Sequence, residues 1–156
     1  LKTFKEQVKY RNSCIAEYID SGYTLFPCAQ NKKPLVKGWN KLAFNPNFAL
    51  DTQLAFGVQL TALDMVLDYD FRRDDTYLRQ LKEFLKLLGY SSPIQTLIVS
   101  TANNGCHIYL RKSAVKMLAA SFYVPDYPAI EVKRQGQYVI GAGSIINGVQ
   151  YKIIRR

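Results

Sequence analysis

Histidine occurs once in this sequence, at His107, and cysteine three times, at Cys14, Cys28 and Cys106. One histidine excludes chemistry that needs a pair of imidazoles. An odd, irregularly spaced set of cysteines is not a disulfide framework, and a reducing, intracellular setting suits it. There is no CxxC, and Cys106 and His107 are adjacent in sequence. Neighbours on a strand point to opposite faces, so structural zinc is not expected. No apolar run reaches ~18 residues, which excludes a transmembrane helix. No secretory signal is visible in these residues, nor any internal repeat, low-complexity tract or long charged tail. The first residue is Leu1 rather than methionine, so the chain reads as a piece of a longer polypeptide.

Acidic residues are also scarce: 12 Asp and Glu against 21 Lys and Arg, a formal net charge of +9. Such a balance favours a polyanionic partner such as nucleic acid. Solubility, or an acidic neighbouring domain, is the plainer explanation. A length of 156 residues is that of one domain with a real core, and 48% hydrophobic content is ordinary for a soluble globular chain.

Apolar residues at helical spacing predict a helix over Glu6–Asp20, stopped at Gly22. A short strand, Tyr23–Pro27, leads into a Lys-, Asn-, Pro- and Gly-rich loop over Gln30–Asn40. Leu54–Leu60 and Leu63–Tyr69 read as strands joined by a tight turn near Thr61. Asp74 and Asp75 open a helix whose stripe is Leu78, Leu81, Leu85 and Leu88 and whose end is Gly89. Ile94–Thr101 and Cys106–Leu110 flank an Asn104-Gly105 turn, both of whose residues tolerate positive φ. A short helix over Ser113–Phe122 follows, then strands Ile130–Arg134, Gln137–Ile140 and Ile145–Ile154, with turns at Gln135-Gly136 and Asn147-Gly148. Helices packed on a mostly antiparallel sheet make the fold class α+β.

Asp68 and Asp70 stand two apart at the end of an apolar strand, so they share one face. Paired carboxylates repel, and a divalent cation relieves the conflict; Mg²⁺ takes one or two carboxylates together with substrate phosphates. Alone, the pair also fits an exposed strand end. Glu131 opens a later strand and would complete a two-metal site, or else pairs with Lys133 or Arg134 at the surface. His107 follows a turn and shares a face with Tyr109; it suits either a phosphate contact or a structural imidazole. Gly141-Ala142-Gly143-Ser144 is a turn of small residues that a ligand could approach, but it is not a Walker A loop.

The order of these features resembles the primase-polymerase (prim-pol) domain of the archaeo-eukaryotic primase superfamily, as found in replication proteins of phages, plasmids and other mobile elements. Gly22-Tyr23-Thr24-Leu25-Phe26-Pro27, Lys33-Pro34 and Gly38-Trp39 are similar to that family's opening signature. Met65 to Asp70 resembles its first metal motif, Ser100-Thr101 through His107-Ile108-Tyr109 its second, and Ile130-Glu131-Val132-Lys133 its third. Gly136 to Ile140, Gly143-Ser144, Gly148 and Tyr151 resemble its closing strands. The likeness spans Gly22–Tyr151, after an N-terminal helix over residues 1–21 of a single catalytic domain, 1–156.

The resemblance implies an RRM-like sheet, flanking helices and a small accessory α/β lobe, with the site between sheet and lobe. It implies template-directed nucleotidyl transfer with Mg²⁺ or Mn²⁺, two ions bound by Asp68, Asp70 and Glu131, and His107 on the incoming triphosphate. Ser100, Lys133 and Ser144 are further candidates for nucleotide contact. The implied partners are a DNA template, single-stranded or primed, and dNTP or NTP. A helical priming module or helicase would lie elsewhere in the full-length protein, so this piece is expected to extend strands better than it starts them.

Two departures stand out. Asn104-Gly105 replaces the usual two glycines before the histidine, and Leu60-Thr61 stands where a glycine is usual. A metal-dependent nuclease is a rival, because Glu131-Val132-Lys133 reads ExK, although Asp68 and Asp70 lie far upstream and His107 is left without a role. A rolling-circle endonuclease would need a second histidine. A non-catalytic single-stranded DNA-binding module would exploit eleven Tyr and eight Phe, but gains nothing from acids that repel phosphate. Lys32, Lys33, Lys37, Lys41, Arg72, Arg73, Arg111 and Lys112 are candidates for the template path, and Trp39 suits packing or base stacking.

Overall fold

Thr3 begins the first helix with a capping box. Its hydroxyl accepts from the Glu6 N–H at 3.3 Å, and its own N–H donates to Glu6 Oε2 at 2.6 Å. Helix α1 therefore spans Phe4–Asp20, beginning at Phe4 rather than at Glu6 as the apolar spacing predicts. The computed structural model describes residues 2–43, 50, 53–70, 75–90, 96–111 and 126–156; the side chains of 75–78 and 111 are not described. The predicted helix over Ser113–Phe122 lies outside these residues, as do Arg72, Arg73 and Lys112.

Two antiparallel sheets carry the fold. The smaller has the order β1 (Leu25–Cys28), β2 (Ala55–Gln59), β7 (Tyr138–Ile140). The larger has the order β10 (Lys152–Arg155), β4 (Ile98–Ser100), β5 (Cys106–Arg111), β3 (Asp64–Tyr69), β6 (Ile130–Arg134). A two-stranded ribbon, β8 (Ile145–Ile146) and β9 (Val149–Gln150), turns at Asn147-Gly148. Helix α2 spans Asp75–Leu87. This is the expected α+β class.

Alternation along β3 divides the two cores. Met65, Leu67 and Tyr69 face α2, where they pack with Leu81, Phe84, Leu85 and Leu88. Val66, with Val99 and Tyr109, packs on the other side against α1 and the smaller sheet. There Tyr18 of α1 shares a 2.9 Å hydrogen bond with Tyr109, and its oxygen also accepts from the Ala142 N–H. One tyrosine thus ties α1 to both sheets.

The tight turn near Thr61 is present: the Thr61 N–H donates to Asp64 Oδ2 at 2.7 Å. Yet β2 and β3 do not pair. β2 is flanked by β1 and β7, and β3 by β5 and β6, so neither has a free edge for the other. The Gln135-Gly136 turn makes the same kind of crossing, from β6 in the large sheet to β7 in the small one. These two crossings leave a cleft between the sheets.

Candidate active site

The cleft is built on one transverse row of the large sheet. Asp68 on β3 is in register with His107 on β5 and with Glu131 on β6, and His107 is in register with Val99 on β4. Residues in register share a face, so Asp68, His107 and Glu131 all look away from α2. Asp70 lies just past the strand, held by its N–H to the Ala129 carbonyl at 2.9 Å. These residues line an open cavity of about 600 Å³, with Lys133 on the large sheet and Lys32 and Tyr138 on the opposite wall.

The turn before His107 is fixed by backbone rather than by an Asn-Gly hairpin geometry. Asn104 has φ 60°, but Gly105 does not adopt positive φ. Gly105 is required by space: a Cβ there would sit 2.3 Å from the Tyr69 carbonyl oxygen. The Thr101 N–H donates to the Gly105 carbonyl, and the Gly105 N–H donates to Thr101 Oγ1.

His107 is buried, with its ring edge-on to Tyr151 at 5.9 Å. Burial pushes its pKa down to about 4, helped by the ammonium groups of Lys32 and Lys133; the backbone at Ile140 acts weakly the other way. It is therefore neutral at pH 7. Nε2 is 3.6 Å from Asp68 Oδ1, while Nδ1 is buried without a hydrogen bond of ordinary geometry. Asp68 is ringed by protein, yet 35% of its side-chain surface opens to the cleft. Desolvation raises its pKa, Lys133 opposes that rise, and Glu131 and Asp70 add to it. Glu131 is held by Lys133 at 2.7 Å.

Among the described residues no three His, Cys, Asp or Glu side chains are gathered tightly enough to cage an ion by themselves. The donor set nonetheless suits a hard cation. Asp68, Asp70 and Glu131 present oxygen ligands to one cavity, and the Lys133 ammonium already marks where positive charge settles. Mg²⁺ typically leaves part of its shell to water and substrate phosphate.

The other candidates are placed differently. Ser100 is in register with Cys106, one residue out of phase with His107, so it looks to the opposite face; its Oγ meets the Lys152 backbone. Ser144 is fully buried, accepting from the Phe56 N–H at 3.1 Å. The small residues around it admit protein rather than a ligand. A Cβ at Gly141 would sit 2.2 Å from the Phe56 ring, and one at Gly143 would sit 2.8 Å from Arg11 Cα in α1. Lys33 and Lys37 on loop surface, and Lys41 at the end of a short 3-10 helix, Trp39–Lys41, are exposed outside the cleft lining. Trp39 packs against Phe26 and Tyr138, with centroids 5.2 and 4.7 Å away.

Tyr138, Tyr151, Thr101 and Asn103 also line the cleft and were not legible as site residues. The signal for Tyr138 was an aromatic placed in a strand soon after Glu131. Its hydroxyl donates to the Lys32 carbonyl at 2.8 Å, which fixes that wall. Lys32 itself sits at φ 70° in a polar loop, with no sequence feature to separate it from its neighbours.

The family model described as bifunctional DNA primase/polymerase, N-terminal, matches residues 15–156, and the chain belongs to that family. Membership carries a nucleotidyltransferase activity of the DNA primase/polymerase kind, with DNA and nucleotides as substrates. A search of curated proteins returned no match. Among the described residues no helix is long and apolar enough to cross a membrane.

Proposed function

We propose that the cleft performs template-directed nucleotidyl transfer, adding nucleotides to a 3′-hydroxyl on a DNA template, in replication of a phage, plasmid or other mobile element. The observation that carries this reading is the register that sets Asp68 opposite both Glu131 and His107. Two divalent ions, Mg²⁺ or Mn²⁺, when held by Asp68, Asp70 and Glu131, would supply charge neutralisation at the phosphates and an acidified 3′-hydroxyl.

This chain's residues do the rest. The 3′-hydroxyl gives its proton to water as its oxygen attacks the α-phosphorus, a new P–O bond forms, and the bond to the β,γ-diphosphate breaks, releasing pyrophosphate. His107, neutral and buried, offers one N–H to a triphosphate oxygen without adding charge. Lys133 exchanges its contact with Glu131 for a phosphate oxygen, and Lys32 adds positive charge from the opposite wall. Tyr138, pinned by Trp39, Phe26 and the Lys32 carbonyl, gives the nucleotide a rigid wall. The RRM-like primase fold, and further helical or helicase domains in the full-length protein, belong to the same reading.

Pyrophosphate release tests it. With primed template, dNTP and Mn²⁺, wild type should release pyrophosphate and Glu131→Gln should not. Release by Glu131→Gln at the wild-type rate would remove Glu131 from the site.

A further inference from the structure

The Thr101–Gly105 turn separates the cleft from a second, shallower groove. Thr101 lines both; Asn103 faces the cleft and Asn104 faces the groove. The turn is a stiff ridge, because its two ends are hydrogen-bonded to each other and Gly105 has no space for a Cβ. The groove lies where β10 joins the edge of the large sheet, and Ser100, Val149, Gln150 and Lys152 complete its lining.

Its chemistry differs from that of the cleft. No acid lines it among the described residues, so it is not a second metal site. Lys152 is exposed and supplies an ammonium group. Val149 is 46% exposed and supplies an apolar surface. Gln150 is buried, and its Nε2 donates to the carbonyls of Gln7 and Gly143 at 2.7 and 3.0 Å. Those two acceptors fix which way the amide points. Oε1 is itself buried, so Gln150 forms the floor of the groove rather than a contact for a ligand. A cation and an apolar face match a phosphate and a base face. Those two groups occur together in one nucleotide of a strand.

We propose that this groove seats a nucleotide of the strand that enters the cleft, with its backbone phosphate at Lys152 and the Thr101–Gly105 turn as the ridge it crosses. The proposal rests on the reading of the cleft as a polymerase site, since that activity supplies the strand.

The test is fluorescence anisotropy of a labelled oligonucleotide across salt concentrations, with chelator and without nucleotide. The chain is compared with Lys152→Ala, Asn104→Gly and a charge-matched control, Lys86→Ala, on the exposed end of α2. Glycine keeps the positive φ that Asn104 adopts. Loss of one phosphate contact should weaken binding several-fold and lower the salt slope by about one for Lys152→Ala, with Lys86→Ala unchanged. An effect on single strands assigns the groove to template; an effect confined to primed duplex assigns it to primer. Equal slopes for Lys152→Ala and Lys86→Ala would overturn the groove and leave the cleft reading intact. Absence of any binding by wild type would overturn both.

Discussion

Asp68 and Glu131 stand directly opposite each other on neighbouring antiparallel strands, and Lys133 clasps Glu131 at 2.7 Å. Two carboxylates on adjacent strands destabilise a sheet unless a cation lies between them. The protein carries this conflict on the wall of its cleft, together with a third acid at Asp70.

Asp68→Asn should raise the thermal midpoint of the metal-free protein at pH 7. Burial and the neighbouring acids raise the Asp68 pKa, so its charged form is disfavoured in the fold relative to the unfolded chain. The gain should vanish below pH about 4, where the unfolded carboxyl is also protonated. Added Mn²⁺ should reverse the order. Ligand at a hundred-fold excess over Kd stabilises by about 2.7 kcal/mol, several degrees in Tm. Wild type should show that rise and Asp68→Asn should lose most of it. Calorimetry with and without metal reads both arms; a metal-free variant that melts lower than wild type would contradict the strain.

His107→Gln should fold, since it keeps a planar polar group in the pocket, and should raise KM for the nucleotide more than it lowers kcat. The His107 pKa is about 4 in the fold and about 6.5 when unfolded. Its contribution to stability is therefore present above pH 6.5 and is lost as pH falls toward 4. Denaturant titrations at stepped pH should show wild type losing stability relative to His107→Gln across that window. Parallel curves would place the histidine in a more solvated setting. His107→Ala, which leaves a cavity beside Tyr151, should cost stability as well as nucleotide use.

Gly105→Ala should be destabilising by roughly 1–3 kcal/mol, because the added methyl meets the Tyr69 carbonyl. It should also reduce nucleotide use, since the turn delivers His107 and the strand that follows it. Asn104→Gly should be nearly neutral for folding, as the left-handed backbone at Asn104 suits glycine. A Gly105→Ala protein as stable as wild type would mean that the turn can open without cost.

The candidate site is legible in part because alternation puts Asp68, His107 and Glu131 on one face of the large sheet, while Asp70, two residues on from Asp68, lies just past β3. The division into two sheets is not. Sequence neighbours such as β2 and β3 read as strands joined by a tight turn, which they are, but β2 pairs with β7, about eighty residues downstream. The sequence offers Lys32 as one of eight basic candidates for the template path, and only that long-range pairing brings its loop and Tyr138 to the cleft. Ser144 misleads for a physical reason. A run of small residues signals close approach, and here the bodies that approach are Phe56 and α1. Ser100 lies near the second motif in sequence, but it is one residue out of phase with the face that carries the acids.

Extension of a labelled primer on a DNA template with Mg²⁺ or Mn²⁺, comparing wild type with Asp68→Ala, tests the central claim most directly. Metal-dependent growth of the primer by wild type, and none by the folded variant, is the predicted result. Metal-dependent shortening of the primer, or growth that survives loss of Asp68, would contradict it.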